Sequence, residues 1–176
     1  FRVTKTTTDV GGKNIENTTM FDSLSRATKT IDDGGFERSI EYDQVSRATK
    51  QISPDGGTQS VIYDKVGNAL TKTLKVTSST NISYSYAYNK TYQLTRLIED
   101  TGNLSITTTQ DYDILHRLTK ITDANSNATA YFYDSESRIT RTLYADSNTI
   151  DSEYDQKGRI TKRTDQKLDV MTYLYD

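Results

Sequence analysis

The chain has 176 residues, of which 33% are hydrophobic, and that share includes thirteen tyrosines; a mean hydropathy of -0.74 argues against a deep apolar core. A net charge of -2 with both signs interleaved leaves no electrostatic footprint for nucleic acid or an anionic membrane. The absence of cysteine excludes disulfides and thiolate metal sites, and there is no 18-residue apolar run, no signal segment at the start and no lipidation signature.

In chain order, one unit recurs. Phe21, Tyr42, Tyr63, Tyr88, Tyr112, Tyr133, Tyr154 and Tyr175 each open a copy, at spacings of 21, 21, 25, 24, 21, 21 and 21 residues. Six of these eight anchors are Tyr-Asp, as at Asp43, Asp113, Asp134 and Asp155, one is Phe21-Asp22 and one is Tyr88-Asn89, and five have Arg five positions on: Arg26, Arg47, Arg117, Arg138 and Arg159. A fixed period of this length marks a repeat architecture. At the start, Arg2-Val3-Thr4-Lys5 matches the second half of the unit, and at the end Tyr175-Asp176 matches the first half. The expectation is a single array over 1–176, cut in mid-repeat at both ends and continued by further repeats of the same chain or of identical neighbours.

Each unit carries two strand signals and two turn signals. From Arg117, Arg-Leu-Thr-Lys-Ile-Thr is rich in β-branched residues, Asp123 to Asn127 is a turn cluster, Ala130 to Tyr133 is a second strand, and Asp134 to Ser137 turns back. Equivalent turns fall at Asp33-Gly34-Gly35 and Pro54-Asp55-Gly56-Gly57, where proline presets φ and glycine accepts a positive φ. The longer repeats place extra residues near Thr77 to Asn81 and Asp100 to Asn103, as hairpin loops tolerate. Ile40, Val61, Tyr86, Tyr131 and Tyr173 stand two before an anchor and so share its face. No stretch has sustained helical periodicity. The fold class expected is all-β: antiparallel hairpins, two strands per repeat, forming a thin sheet. At roughly 10 Å of sheet per repeat and roughly 20° of twist per strand, such a sheet coils into a spiral or tube-like shell.

The anchor Asp reads as a turn former, and the Arg four residues later reaches its carboxylate or lies over a tyrosine of the next repeat. At Tyr88 the pair becomes Asn89 and Gln93; after Asp64, Asn68 replaces Arg.

The pattern Y-D-x-x-G-R-[LI]-T-[KR], best seen in YDILHRLTK from Tyr112, YDSESRITR from Tyr133 and YDQKGRITK from Tyr154, resembles the YD repeat of the RHS family, which includes Rhs toxins, the C component of Tc toxins, wall-associated proteins and teneurins. The resemblance runs from Arg2 to Asp176. It implies a hairpin sheet that spirals into a hollow shell, often around a toxic C-terminal segment, and it implies secretion or surface display. The family's plug and self-cleaving aspartyl site have no counterpart in this sequence. The motif's glycine is present only at Gly67 and Gly158, so the turns with Ser, His or Tyr are expected to differ in geometry.

Catalytic patterns are absent: no nucleophile elbow, no phosphate loop, no H-E-x-x-H. His116, the single histidine, holds a turn position and reads as solvated rather than as a general base. Asp123, Asn125, Asn127 and Asp134 fall at positions 1, 3, 5 and 12 of a calcium-loop pattern, but Ala128 stands where that loop requires glycine, and a hairpin loop is the plainer reading. Sequons at Asn17, Asn81, Asn89, Asn103 and Asn127 arise readily in a threonine-rich chain. The functional expectation is a non-enzymatic structural segment without cofactor, part of an extracellular shell wall with an encapsulating or scaffold role. The alternatives are an adhesin or filament subunit assembling through its terminal hairpins, or a weak module for surface glycans.

Overall fold

The computed structural model describes residues 2–10, 13–75, 81–102 and 104–176. Phe1, the Thr77 to Asn81 loop apart from Asn81, and the sequon at Asn103 lie outside them. Contacts gather the chain into two compact units, Phe1–Tyr86 with Glu99–Ser105, and Ala87–Ile98 with Ile106–Asp176.

In the first unit β1 (Arg2–Val10), β2 (Lys13–Phe21), β3 (Ala27–Ile31), β4 (Glu37–Tyr42), β5 (Ala48–Ile52), β6 (Thr58–Tyr63), β7 (Ala69–Lys75) and β8 (Asn81–Tyr88) pair antiparallel, each with the next. β9 (Leu94–Asp100) follows the Tyr88 turn. In the second unit the same meander runs through β10 (Ser105–Tyr112), β11 (Leu118–Thr122), β12 (Ala128–Tyr133), β13 (Ile139–Leu143), β14 (Thr149–Tyr154), β15 (Ile160–Thr164) and β16 (Val170–Thr172). The described residues form strands and turns alone, two strands to a repeat, as the β-branched runs and turn clusters predict.

Both turns of a repeat share one backbone form, except between Asp100 and Ser105, where the Thr101 N–H donates to Leu104 O. In the Tyr133 copy the Asp134 N–H donates to Arg138 O and the Ser137 N–H to Asp134 O; in the intervening turn the Asp123 N–H donates to Asn127 O and the Ser126 N–H to Asp123 O. The fourth residue, counted from the anchor in the Tyr-Asp turns, is left-handed. Here the structure corrects the sequence. Ser25, Ser46, Tyr92, His116 and Ser137 have φ between 60° and 69°, beside 81° at Gly158. The turns without glycine therefore share the geometry of those with it, and the side chains meet the left-handed cost of about 1 kcal/mol through the bonds that close the turn. The outlying turn is one that has glycine: Gly67 has φ 107° and a 3.4 Å bond to Asp64 O.

Each Tyr-Asp turn also carries a bulge. Register shifts between Glu41 and Tyr42, between Phe132 and Tyr133, and between Glu153 and Tyr154. In the Tyr63 copy the extra residue is Leu70; in the Phe21, Tyr42, Tyr112, Tyr133 and Tyr154 copies it is the threonine two after the Arg position. Its hydroxyl donates to the carbonyl of the residue before the anchor: Thr28 to Met20, Thr49 to Glu41, Thr95 to Ala87, Thr119 to Asp111 and Thr140 to Phe132, at 3.1–3.3 Å. A bulge leaves ladder groups unpaired, and threonine satisfies one of them without leaving the strand.

Among the described residues no side chain, apolar or polar, is fully buried. Apolar contact is confined to half-buried stripes on the sheet faces, so hydrophobic burial, at about 25 cal/mol per Å², is not the sole organiser of the repeats.

Candidate functional site

The anchor side chains meet in a seam along the Tyr-Asp turns. Take Asp134. One carboxylate oxygen accepts the backbone N–H groups of Glu136 at 3.0 Å and Arg138 at 2.9 Å; the other accepts Arg138 Nε at 2.6 Å. The guanidinium, so fixed, lies 4.8 Å from the ring centroid of Tyr154, and its Nη1 donates to the carbonyl of Asp155 at 3.0 Å. The Tyr154 hydroxyl then reaches back to Ile139 O at 2.9 Å. One repeat is held to the next by a stacked cation, a charge-assisted bond forward and a hydroxyl bond backward.

The same set recurs. Arg26, Arg47, Arg117 and Arg159 bond Asp22, Asp43, Asp113 and Asp155 and stack on Tyr42, Tyr63, Tyr133 and Tyr175 at 4.2–4.7 Å. Nη1 of Arg26, Arg47 and Arg117 donates to the carbonyls of Asp43, Asp64 and Asp134. The hydroxyls of Tyr42, Tyr63, Tyr112, Tyr133 and Tyr175 return to Ala27, Ala48, Leu94, Leu118 and Ile160 at 2.6–3.2 Å. Arg2 stacks on Phe21 at 4.3 Å in the same way. The alternatives the sequence posed for the Arg, its own carboxylate or the next tyrosine, are both realised at once.

The carboxylates are tuned accordingly. The Arg26 guanidinium, then its backbone N–H, holds Asp22 below the usual carboxylate range. In Asp113 and Asp155 the backbone N–H of Arg117 and Arg159 leads. In Asp43 and Asp134 partial burial pushes upward and is outweighed by the backbone and guanidinium donors of Arg47 and Arg138, for a net lowering. These acids are permanently ionised at neutral pH and spend their lone pairs on the turn, so the arrangement fits anchoring and leaves no proton for general acid chemistry.

The two copies without Arg keep the turn. Asp64 accepts N–H from Val66, Gly67 and Asn68 and bonds Asn68 Nδ2 at 2.9 Å. Asn89 accepts from Thr91 and Gln93, and Gln93 Nε2 donates to His116 O at 2.8 Å, with His116 Nδ1 3.3 Å from Gln93 Oε1. His116, exposed in its turn, faces an amide. In the calcium-loop pattern, Asp123 already accepts from Asn125 N, Asn127 N and Asn127 Nδ2, while Asp134 is bonded to Arg138. Among the described residues no three His, Asp or Glu side chains gather as metal ligands.

Sequence reasoning missed an ion-pair ladder on the face opposite the tyrosines. Lys50 meets Glu41 and Lys162 meets Glu153, both at 3.0 Å, and Arg141 meets Asp151. The signal was present: an acid one before the anchor and a lysine nine residues later become directly opposed.

Comparison with known proteins agrees with this geometry. Residues 112–149 match the family model "RHS Repeat". No curated protein matches the chain at a significant level. Among solved structures, the crystal structure of TcdB2-TccC3 superposes with a TM-score of 0.63 at 14% identity over 93% of this chain and 10% of that one. TcdB2-TccC3-TEV gives 0.61 at 16% identity, over 86% and 9%. The Tc holotoxin pore of Photorhabdus luminescens gives 0.59 at 17%, over 86% and 8%. The chain thus spans about a tenth of the length of these structures, and at such identity the likeness is one of fold. With one turn recurring from Phe21 to Tyr154, the chain is an array of like repeats, of which residues 112–149 match the RHS type.

Proposed function

We propose that the chain is a non-enzymatic wall segment of an extracellular YD-repeat shell, serving to enclose or scaffold a polypeptide. The observation that carries this reading is the seam: the recurring Asp is spent on its own turn and on fixing the Arg, and the recurring Arg and Tyr join one repeat to the next. A sheet without fully buried side chains, fixed laterally at each turn, is suited to being a wall with two working faces. The fold shared with Tc toxin structures fits the enclosure and the secretion that the resemblance to the RHS family implies. Electron microscopy of the full-length polypeptide that carries these repeats tests the reading. A hollow, walled particle in which 1–176 lines the cavity is the expected image; a solid globule, or a straight fibre of these repeats, overturns it.

A further inference from the structure

The two faces of the sheet divide the strand charges unequally. In the first unit the cross-strand register sets Thr19, Thr30 and Arg38 opposite one another, then Ile40, Gln51 and Gln59, then Val61, Lys72 and Tyr84, all on the face of the tyrosine anchors. The acids of β3 to β8 are Glu37 and Glu41. Both alternate onto the other face, where Lys29 and Lys50 neutralise them at 2.7 and 3.0 Å. The tyrosine side of these strands therefore holds Arg38 and Lys72 without a carboxylate. Among the described residues neither head group has an ion pair or a hydrogen bond, and the side-chain amides of Gln51 and Gln59 between them are equally free. Arg38 is exposed and borders two grooves, one of about 510 Å³ shared with Thr30, Ile40 and Gln51, the other of about 390 Å³ shared with Asn17, Thr19 and Phe36.

We propose that this face of the first unit binds an extended acidic polypeptide segment, with one carboxylate on Arg38, a second on Lys72 and the backbone between them on the amides of Gln51 and Gln59. This deepens the wall reading above and rests on it, naming the face that meets the enclosed polypeptide and the chemistry that face accepts. Charge complementarity carries the choice of partner: the free cations and amide donors all lie on one side, and a carboxylate arriving on the other side has to displace Glu37 or Glu41. The register supplies the spacing. Arg38 and Lys72 are three strands apart at about 4.8 Å each, with a stagger of two residues on β4 and two on β6, so their Cα atoms are roughly 20 Å apart. An extended chain covers that distance in about six residues. Nucleic acid fits less well, since a strand bears a phosphate about every 3.4 Å and most of them would lie over neutral side chains.

NMR titration of the isotope-labelled 176-residue chain with a short peptide of Gly, Ser and Thr that carries two glutamates about six positions apart tests this. Amide shifts are expected at Thr30, Arg38, Gln51, Gln59 and Lys72. Arg38→Gln and Lys72→Gln each weaken binding about threefold, as the loss of one exposed ion pair entails. Lys50→Gln, an equal loss of charge on the other face, leaves the affinity unchanged. On the unaltered chain, a peptide with its two glutamates adjacent binds about threefold more weakly, because it reaches one cation at a time, and a peptide with lysines in their place does not bind. No binding, shifts that gather at Lys29 and Lys50, equal affinity for the two glutamate spacings, or tighter binding of a single-stranded oligonucleotide overturns the proposal. The wall reading fails separately: a hollow particle whose repeats ignore these peptides keeps the wall and removes this site, whereas a solid globule that binds them in the stated order keeps the site and removes the wall.

Discussion

The turns at Tyr133 and Tyr88 share a backbone and differ in what their side chains can hold. At Tyr133 an ionised Asp134 orients Arg138, and Arg138 then grips both the ring and the backbone of the following repeat. At Tyr88 the neutral Asn89 and Gln93 close the turn just as well and reach the next repeat by one amide bond, to His116 O. The left-handed residue is near 65° in both, at Ser137 and Tyr92. Closing the turn and coupling the repeats are therefore separable: the acceptor at the second position does the first, and the arginine does the second.

The largest way to break that separation is to remove the acceptor. Asp134→Ala strands two backbone N–H groups and releases Arg138, and thermal melting followed by circular dichroism is expected to show a greater loss than any other single change in the turn. Asp134→Asn should retain most of the turn, as Asn89 does, and lose the coupling alone. Arg138→Ala comes next, costing about 1–2 kcal/mol in urea denaturation through loss of the stacked cation and the bond to Asp155 O.

Acid divides the two kinds of turn as well. The anchor carboxylates have folded pKa values below their unfolded ones, so their stabilisation is complete above the unfolded value and is lost as pH falls through the folded one. The melting temperature should hold steady from neutrality and fall below about pH 4. In Arg138→Ala the fall should be shallower, since Asp134 is then less depressed. A decline already under way at pH 6 would contradict the assignment.

A smaller effect sharpens the comparison from the other side. Asn89→Asp with Gln93→Arg should stabilise by up to about 1 kcal/mol, and a double-mutant cycle should show most of the gain as coupling between the two sites. Smallest is Ser137→Gly: a residue with φ 65° gains a few tenths of a kcal/mol at most from the freer backbone, offset by the unfolded chain.

Much of this was written in local chemistry. Turn clusters, strand runs and the face shared by each anchor and the residue two before it are properties of adjacent residues, and Asp-x-x-x-Arg pairs are visible within one turn. The carbonyl that Arg138 reaches is 17 residues away and the one Tyr154 reaches is 15 residues back; no pattern within a single repeat discloses them. The threonine hydroxyl was hidden for another reason. Threonine is a ready strand former, so its recurrence at Thr28, Thr49, Thr95, Thr119 and Thr140 reads as β-propensity until the bulge shows a carbonyl in need of a donor. The left-handed serines were misjudged because the need for positive φ was assigned to glycine alone, whereas a closed hydrogen-bonded turn tolerates Ser46, Tyr92 or His116.

The forward reach of each arginine and the backward reach of each tyrosine have a consequence for descent. Because the two hands of every clasp come from neighbouring modules, excising or duplicating one whole module rejoins an old hand to an equivalent new one, and nothing else has to be reinvented. Genes for such chains can therefore shorten or grow by unequal recombination without passing through broken intermediates, and the number of modules is free to follow whatever length the sheet must span.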